Sequence, residues 1–234
     1  MSRILSGVLQ PGARAVGIGV SGARRGVAMF DGTPRAVVVK ACVAPELAAE
    51  CFCALLADAL SINAPPCGIV YENGVAHFAS IDLQVPNLMQ QFCLDSSKPR
   101  EAELQALVNE LAQWVGFGRL IALDVLIRNA DRHPGNLLTD GVDYWAIDHG
   151  RTLDLHPYQG HKSYRLLSTY ADLLTCANIE AGAISNALTF PDTCVSQPKA
   201  EVAAHPVVAS FAKPFADLVA GRLPSLASSI KGLL

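Results

Sequence analysis

Residues 129–150 read Asn-Ala-Asp-Arg-His-Pro-Gly-Asn-Leu-Leu-Thr-Asp-Gly-Val-Asp-Tyr-Trp-Ala-Ile-Asp-His-Gly. Two carboxylates, Asp131 and Asp148, bracket an amide, Asn136, and the pair Asp140-Gly141 between them is a hairpin signal because apolar residues flank it. With a two-residue loop, antiparallel pairing sets Asp148 opposite His133. With a four-residue loop, it falls opposite Gly135. Either register brings Asp148 beside the segment that carries Asp131 and Asn136. Oxygen ligands gathered at one rim suit a hard cation such as Mg2+, which shares them with substrate phosphates. A lone Asp-Gly or loop asparagine is an ordinary turn former. The joint spacing is what points to phosphoryl transfer.

Kinases use the same order of aspartate, asparagine, short hairpin and Asp-x-Gly for the catalytic base, second metal ligand and first metal ligand. Asp131-Arg132-His133-Pro134-Gly135-Asn136 followed by Ile147-Asp148-His149-Gly150 resembles the HipA-like kinases. Phosphatidylinositol kinases share the Asp-Arg-His-x-x-Asn signature. Ordinary protein kinases instead place His-Arg-Asp ahead of the asparagine. Aminoglycoside and choline phosphotransferases carry His-Gly-Asp-x-His-Pro-Gly-Asn, whereas this chain has Asn129-Ala130 before the aspartate and Arg132 after it. The HipA-like pattern fits best over residues 124–150 and more loosely over 17–60.

Phosphate handling is sought in the N-terminal third. Residues 15–20, 26–30 and 36–40 read as three strands separated by turn signals. Gly17, Gly19 and Gly22 form a glycine-rich pattern with no helix directly after it, which disfavours a dinucleotide-binding unit. A glycine loop between strands can instead offer backbone N–H groups to nucleotide phosphates, with Ser21 and Gly22 at its tip. A plain hairpin turn is the competing reading there. Lys40 ends an apolar run, and a helix from Pro45 to Leu60 follows, with Leu47, Cys51, Leu55 and Ala59 as its apolar stripe. Glu50 lies beside that stripe and is the preferred partner of Lys40. Glu46 competes, although a first-turn glutamate is accounted for by the helix dipole. In the family that the chain resembles, such a Lys–Glu pair sets the lysine on nucleotide phosphates.

Residues 68–71 and 75–83 read as a second strand pair around Asn73-Gly74, leading to a hinge candidate at Ser80, Ile81 and Asp82. Beyond residue 95 the pattern turns helical. Ser96-Ser97 can cap a helix whose stripe is Leu104, Leu107, Val108, Leu111 and Val115. A short apolar helix over 120–127 ends at the catalytic loop, and its embedded Asp124 needs partners such as Arg132 or loop N–H groups. Arg132 and His133 read as loop-shaping residues. Further helices are expected over 164–176, 179–188 and 207–218, with a loop over 190–199.

The chain has 234 residues, 51% hydrophobic and 17% charged, with a formal net charge of −3. That balance gives no bulk electrostatic case for nucleic-acid binding. Seven scattered cysteines without a Cys-x-x-Cys pair read as reduced core residues of a cytoplasmic protein. No apolar run is long enough to span a bilayer, and no secretory signal is read. The expected fold is α+β, a single two-lobed kinase-like domain with a β-rich lobe over 1–83 and a helical lobe over 84–234.

The resemblance implies an ATP- and Mg2+-dependent kinase acting on a protein serine or threonine. Asp131 would be the base, Asn136 and Asp148 the metal ligands, and Lys40 with Glu50, Ser21 and Gly22 the nucleotide site. A small-molecule or lipid kinase is the nearest alternative, and a non-catalytic nucleotide- or partner-binding module a more distant one. HipA proteins are longer and carry an additional N-terminal region. A toxin role and an antitoxin or other cognate regulator therefore do not follow from the motifs alone.

Overall fold

The computed structural model describes residues 3–16, 22–94, 100–129, 131–158 and 162–234. The strand expected over 15–20, the glycines at 17 and 19, Ser21 and the Ser96-Ser97 cap lie outside the described residues, apart from Ala15 and Val16. The N-terminal part is a sheet of six strands: β1 (Leu5–Leu9), β2 (Arg14–Ala15), β3 (Arg24–Phe30), β4 (Thr33–Lys40), β5 (Cys67–Glu72) and β6 (Val75–Ile81), in the order β1-β5-β6-β4-β3-β2. Between β4 and β5 runs helix α1 (Ala44–Ala59).

The sheet closes on itself. β1 runs parallel to β5 (Leu5 beside Gly68) and antiparallel to β3 (Gly7 beside Phe30). Leu9, Ala28, Phe30, Val37, Val39, Val70 and Ala79 fill the enclosed space. Closure at this radius needs glycine at two points. A Cβ on Gly7 would come 2.4 Å from the Met29 carbonyl oxygen, and one on Gly68 would come 2.8 Å from the Leu5 carbonyl oxygen. β1 was not anticipated because Ser6 and Gly7 interrupt its pattern, and both residues are weak strand formers.

Opposite the enclosed core, Ile69 and Phe78 belong with α1 to the main hydrophobic cluster. The expected single stripe on α1 is too narrow. Every residue from Leu47 to Ala57 is buried, Glu50 included. A helix that is apolar nearly all round must be enclosed. Here the enclosure comes from β5 and β6 and from two C-terminal helices, α7 (Ser196–Ala203) and α8 (Ala212–Arg222). The Phe52 and Phe215 rings meet edge to face, 5.9 Å apart.

The C-terminal part is helical: α2 (Leu88–Gln91), α3 (Glu101–Gln113), α4 (Phe117–Ile127), α5 (Lys162–Tyr170), α6 (Leu173–Thr189), α7, α8 and α9 (Leu226–Ile230), with one hairpin, β7 (Leu137–Thr139) and β8 (Tyr144–Ala146). α4 packs on α6 through Gly118, where a Cβ would come 2.8 Å from the Ala183 nitrogen. Three sequence expectations need correction. Val115 is 96% exposed rather than part of the α3 stripe, because α3 stops at Gln113. The break between α5 and α6 falls at Ala171-Asp172, where the Asp172 carboxylate accepts from the Thr175 N–H at 2.7 Å and caps α6. Residues 190–199 hold a 3-10 turn and the start of α7, not an open loop.

Two glycine substitutions test this packing. Gly118→Ala should destabilise the fold by roughly 1–3 kcal/mol through overpacking. Gly221→Ala, in α8 with open space around it, should stabilise it by roughly 0.5–1 kcal/mol. Urea unfolding of both variants checks the pair of signs.

Candidate active site

Helix α4 delivers the chain to the loop that carries Asp131. Its last residue is followed by Arg128 in the left-handed region (φ 51°), which turns the backbone sharply. Asp124, fully buried in α4, then becomes the anchor of the loop. It accepts from Asn129 Nδ2 at 2.9 Å and from Arg132 Nε and Nη2 at 3.0 and 3.1 Å. Asn129 Oδ1 in turn accepts from the Asp131 N–H at 3.1 Å. The sequence asked for partners to a buried aspartate, and these are the groups that supply them.

Arg132 is the largest fully buried side chain among the described residues. Its remaining N–H groups reach across the hairpin. Nη1 donates to the Asn136 carbonyl at 2.7 Å and to the Ile147 carbonyl at 2.8 Å, and Nη2 lies 3.2 Å from His149 Nε2. All five donors of the guanidinium are engaged. Burial, with Arg132 and Lys40 nearby, holds the His149 imidazole well below its ordinary pKa, so its Nε2 is the acceptor in that contact. His133 accepts from the Gly135 N–H through Nδ1 at 3.1 Å, which supports its place as a loop-shaping residue.

The hairpin uses the four-residue loop. Leu137 pairs with Ala146 and Thr139 with Tyr144, so Asp148 comes opposite Gly135, and Ile147 donates its N–H to the Asn136 carbonyl at 3.1 Å. Beyond the hairpin Asp148 adopts φ 62°. Tyr144 braces the hairpin from outside: its ring stacks on Trp114 with centroids 4.4 Å apart, and its hydroxyl donates to Glu110.

Lys40 ends β4 and is the junction of the two parts of the chain. Its Nζ lies 3.0 Å from Glu50 Oε1 and 2.9 Å from Asp148 Oδ1. The second Glu50 oxygen accepts from the His149 N–H at 2.8 Å. Burial lowers the Lys40 pKa, but the Glu50 and Asp148 carboxylates outweigh it and hold the ammonium above its ordinary value. Burial pushes the Glu50 carboxyl up, with Lys40 and the His149 N–H opposing it. With both Glu50 oxygens occupied by donors, the geometry is that of the carboxylate. Glu46, the competing partner, lies 3.4 Å from His156 Nε2 instead.

The structure thus gathers Lys40, Glu50 and Asp148 directly, with Asp131 and Asn136 on the adjoining loop. Gly22 precedes β3 with φ 59° and has no contact with this cluster among those described; Ser21 lies outside the described residues. At the hinge candidate, the Asp82 N–H donates to the Ala36 carbonyl at 3.0 Å and the Asp82 carboxylate pairs with Arg25 at 2.9 Å. Arg24 forms a two-bond pair with Glu72 at 3.1 and 2.6 Å.

The donor set fits a Mg2+ ion that is shared with a ligand. Asn136 donates Nδ2 to the Asp131 carbonyl at 2.9 Å, so its Oδ1 is the atom that could face a cation, and Asp148 Oδ2 is not the oxygen held by Lys40. Among the described residues no three His, Cys, Asp or Glu side chains converge to hold a metal by themselves. Mg2+ usually completes its shell with water and substrate phosphate. A cavity of about 490 Å³ lies elsewhere, between α3 and α6 beside Trp114.

No family model matches the sequence, and no curated protein matches it. Solved structures do. The chain superposes on the Helicobacter pylori proinflammatory kinase CtkA with a TM-score of 0.63 at 12% identity, covering 97% of this chain and 98% of that one. It superposes on HipA from the Shewanella oneidensis MR-1 toxin–antitoxin system, in a complex with HipB and operator DNA, with a TM-score of 0.56 at 12% identity, covering 92% of this chain and 66% of that one. The chain has the fold of the HipA-like kinases. No helix among the described residues is long and apolar enough to cross a membrane.

Removing the Arg132 fork should be among the costliest single changes in the protein. Arg132→Met leaves Asp124 buried without its cation and should cost on the order of 3–5 kcal/mol. Arg132→Lys should recover part of that at most, since an ammonium cannot reproduce a planar five-donor fork. Thermal or urea unfolding of the two variants measures the difference.

Proposed function

We propose that this chain is a Mg2+- and ATP-dependent phosphotransferase acting on a serine or threonine hydroxyl of a protein, built as a two-lobed kinase with lobes over residues 1–83 and 84–234. The observation that carries the reading is Lys40 bonded at once to buried Glu50 and to Asp148. A lysine fixed between a helix carboxylate and a metal-ligand carboxylate is the arrangement that sets an ammonium on nucleotide phosphates beside their metal.

In this reading Asn136 and Asp148 hold the ion, which neutralises phosphate charge when bound. Asp131 accepts the proton of the attacking hydroxyl. Lys40, oriented by Glu50, fixes the nucleotide. Gly22 and Ser21 belong to a glycine loop over its phosphates. Rate comes mainly from positioning and from preorganised charge. A cognate protein partner is also proposed, by analogy with the HipA neighbour, whose structure includes HipB.

Two substitutions separate the roles. Asp131→Ala should abolish transfer of label from γ-labelled ATP while leaving the unfolding midpoint and nucleotide affinity close to wild type. Asp148→Ala should weaken Mg2+-dependent nucleotide binding by on the order of tenfold or more, because it removes a ligand that the ion shares with the phosphates. Wild-type turnover in both variants would refute the site.

A further inference from the structure

The roles above leave Arg151 unassigned, although it follows Asp148-His149-Gly150 directly and its Nη1 lies 3.5 Å from Asp131 Oδ2. Its backbone is held on both sides. The His149 N–H is bonded to Glu50, Gly150 packs against Glu50, and buried Thr152 donates its hydroxyl to the His149 carbonyl at 2.7 Å. Leu153 then donates its N–H to the Ile127 carbonyl at 2.8 Å. The side chain itself is 59% exposed. A fixed base with a solvated guanidinium on a flexible stem describes a group that can change partners. An exposed ion pair at this distance contributes roughly 0–1 kcal/mol, so its hold on Asp131 is easily exchanged.

The charge around the cluster indicates what the new partner would be. Lys40 is buried between two carboxylates. Arg132 is buried with every donor engaged. Arg151, by contrast, is a largely exposed cation whose Nη1 lies 3.5 Å from Asp131 Oδ2. Asp131 is where the acceptor hydroxyl is placed under the proposed function. A group within 3.5 Å of that carboxylate can therefore also reach the phosphorus that the hydroxyl attacks.

Resting on that reading, we infer that Arg151 is a catalytic residue that exchanges Asp131 for the phosphoryl group in transit and grips it. During transfer the bond from the acceptor oxygen to the γ-phosphorus forms. The bond from that phosphorus to the bridging oxygen breaks, and its electron pair stays on the diphosphate. The hydroxyl proton passes to Asp131. Arg151 forms no covalent bond. Its planar fork meets two of the equatorial oxygens, as arginines supplied to other phosphoryl-transfer sites do.

The test needs no acceptor. Calorimetry on the full chain compares the binding of Mg·ADP with that of Mg·ADP plus aluminium fluoride, which mimics the phosphoryl group in transit. Wild type should bind the fluoride complex more tightly than Mg·ADP. Arg151→Ala should keep the Mg·ADP affinity within about threefold and lose most of the additional tightening, on the order of 1,000-fold or more for an arginine of this kind. Arg151→Lys should lose part of it. An unchanged unfolding midpoint in both variants excludes a folding effect. If Arg151→Ala kept the full tightening, the pair with Asp131 would be an ordinary surface contact and this assignment would fall while the phosphotransferase reading stood. Wild type that bound Mg·ADP without further tightening would overturn the assignment in the same way. Wild type that failed to bind Mg·ADP would overturn both.

Discussion

One buried guanidinium holds the candidate site together. Arg132 joins α4 through Asp124, the chain just before β7 through the Asn136 carbonyl, the chain just after β8 through the Ile147 carbonyl, and the following segment through His149. These four stretches carry Asp131, Asn136 and Asp148. Burying a charge is costly unless it is paired and fully hydrogen-bonded, and here both conditions are met by groups that must be in their native places at once. The same requirement makes the loop geometry specific: a one-residue slip of the hairpin would leave donors of a buried cation without acceptors.

Glu50 extends that constraint into the N-terminal part. It takes the Lys40 ammonium with one oxygen and the His149 N–H with the other. The sheet-borne lysine and the hairpin-borne aspartate are thereby referenced to one carboxylate on α1. Neither part of the chain positions the cluster alone. β4 supplies the ammonium, α4 and the hairpin supply the acids, and α1 sets the distance between them.

Much of this was legible in the residues 124–150, because hydrogen-bonding chemistry there is local. Asp-Gly announced the hairpin, and a buried aspartate in an apolar helix announced its own need for partners. The choice between a two- and a four-residue loop was not legible, since it turns on whether Val142 and Asp143 join the strands. The Lys40–Glu50 pair was inferred from helical spacing. The full burial of α1 was not, because it depends on α7 and α8, some 150 residues away. β1 was missed for the opposite reason. Its glycine is placed by closure of the sheet rather than by local propensity, and a glycine in a strand reads as an interruption. Arg151 was overlooked because an arginine after Asp-x-Gly has no pattern to mark it, and its meaning comes from a distance in space.

The enclosure of α1 also constrains how such a molecule could be switched. In a kinase the lysine–glutamate pair must be in place for activity and helix position controls it, so a helix free to swing can serve as a lever. Here a swing would strip Leu47, Phe52, Leu55 and Leu56 from their packing. At about 1.5–3 kcal/mol for each large apolar side chain, the total is comparable to the whole stability of a typical domain. A displaced-helix resting state is therefore out of reach short of unfolding. Small molecules that work by wedging such a helix outward would find no pre-existing state to capture.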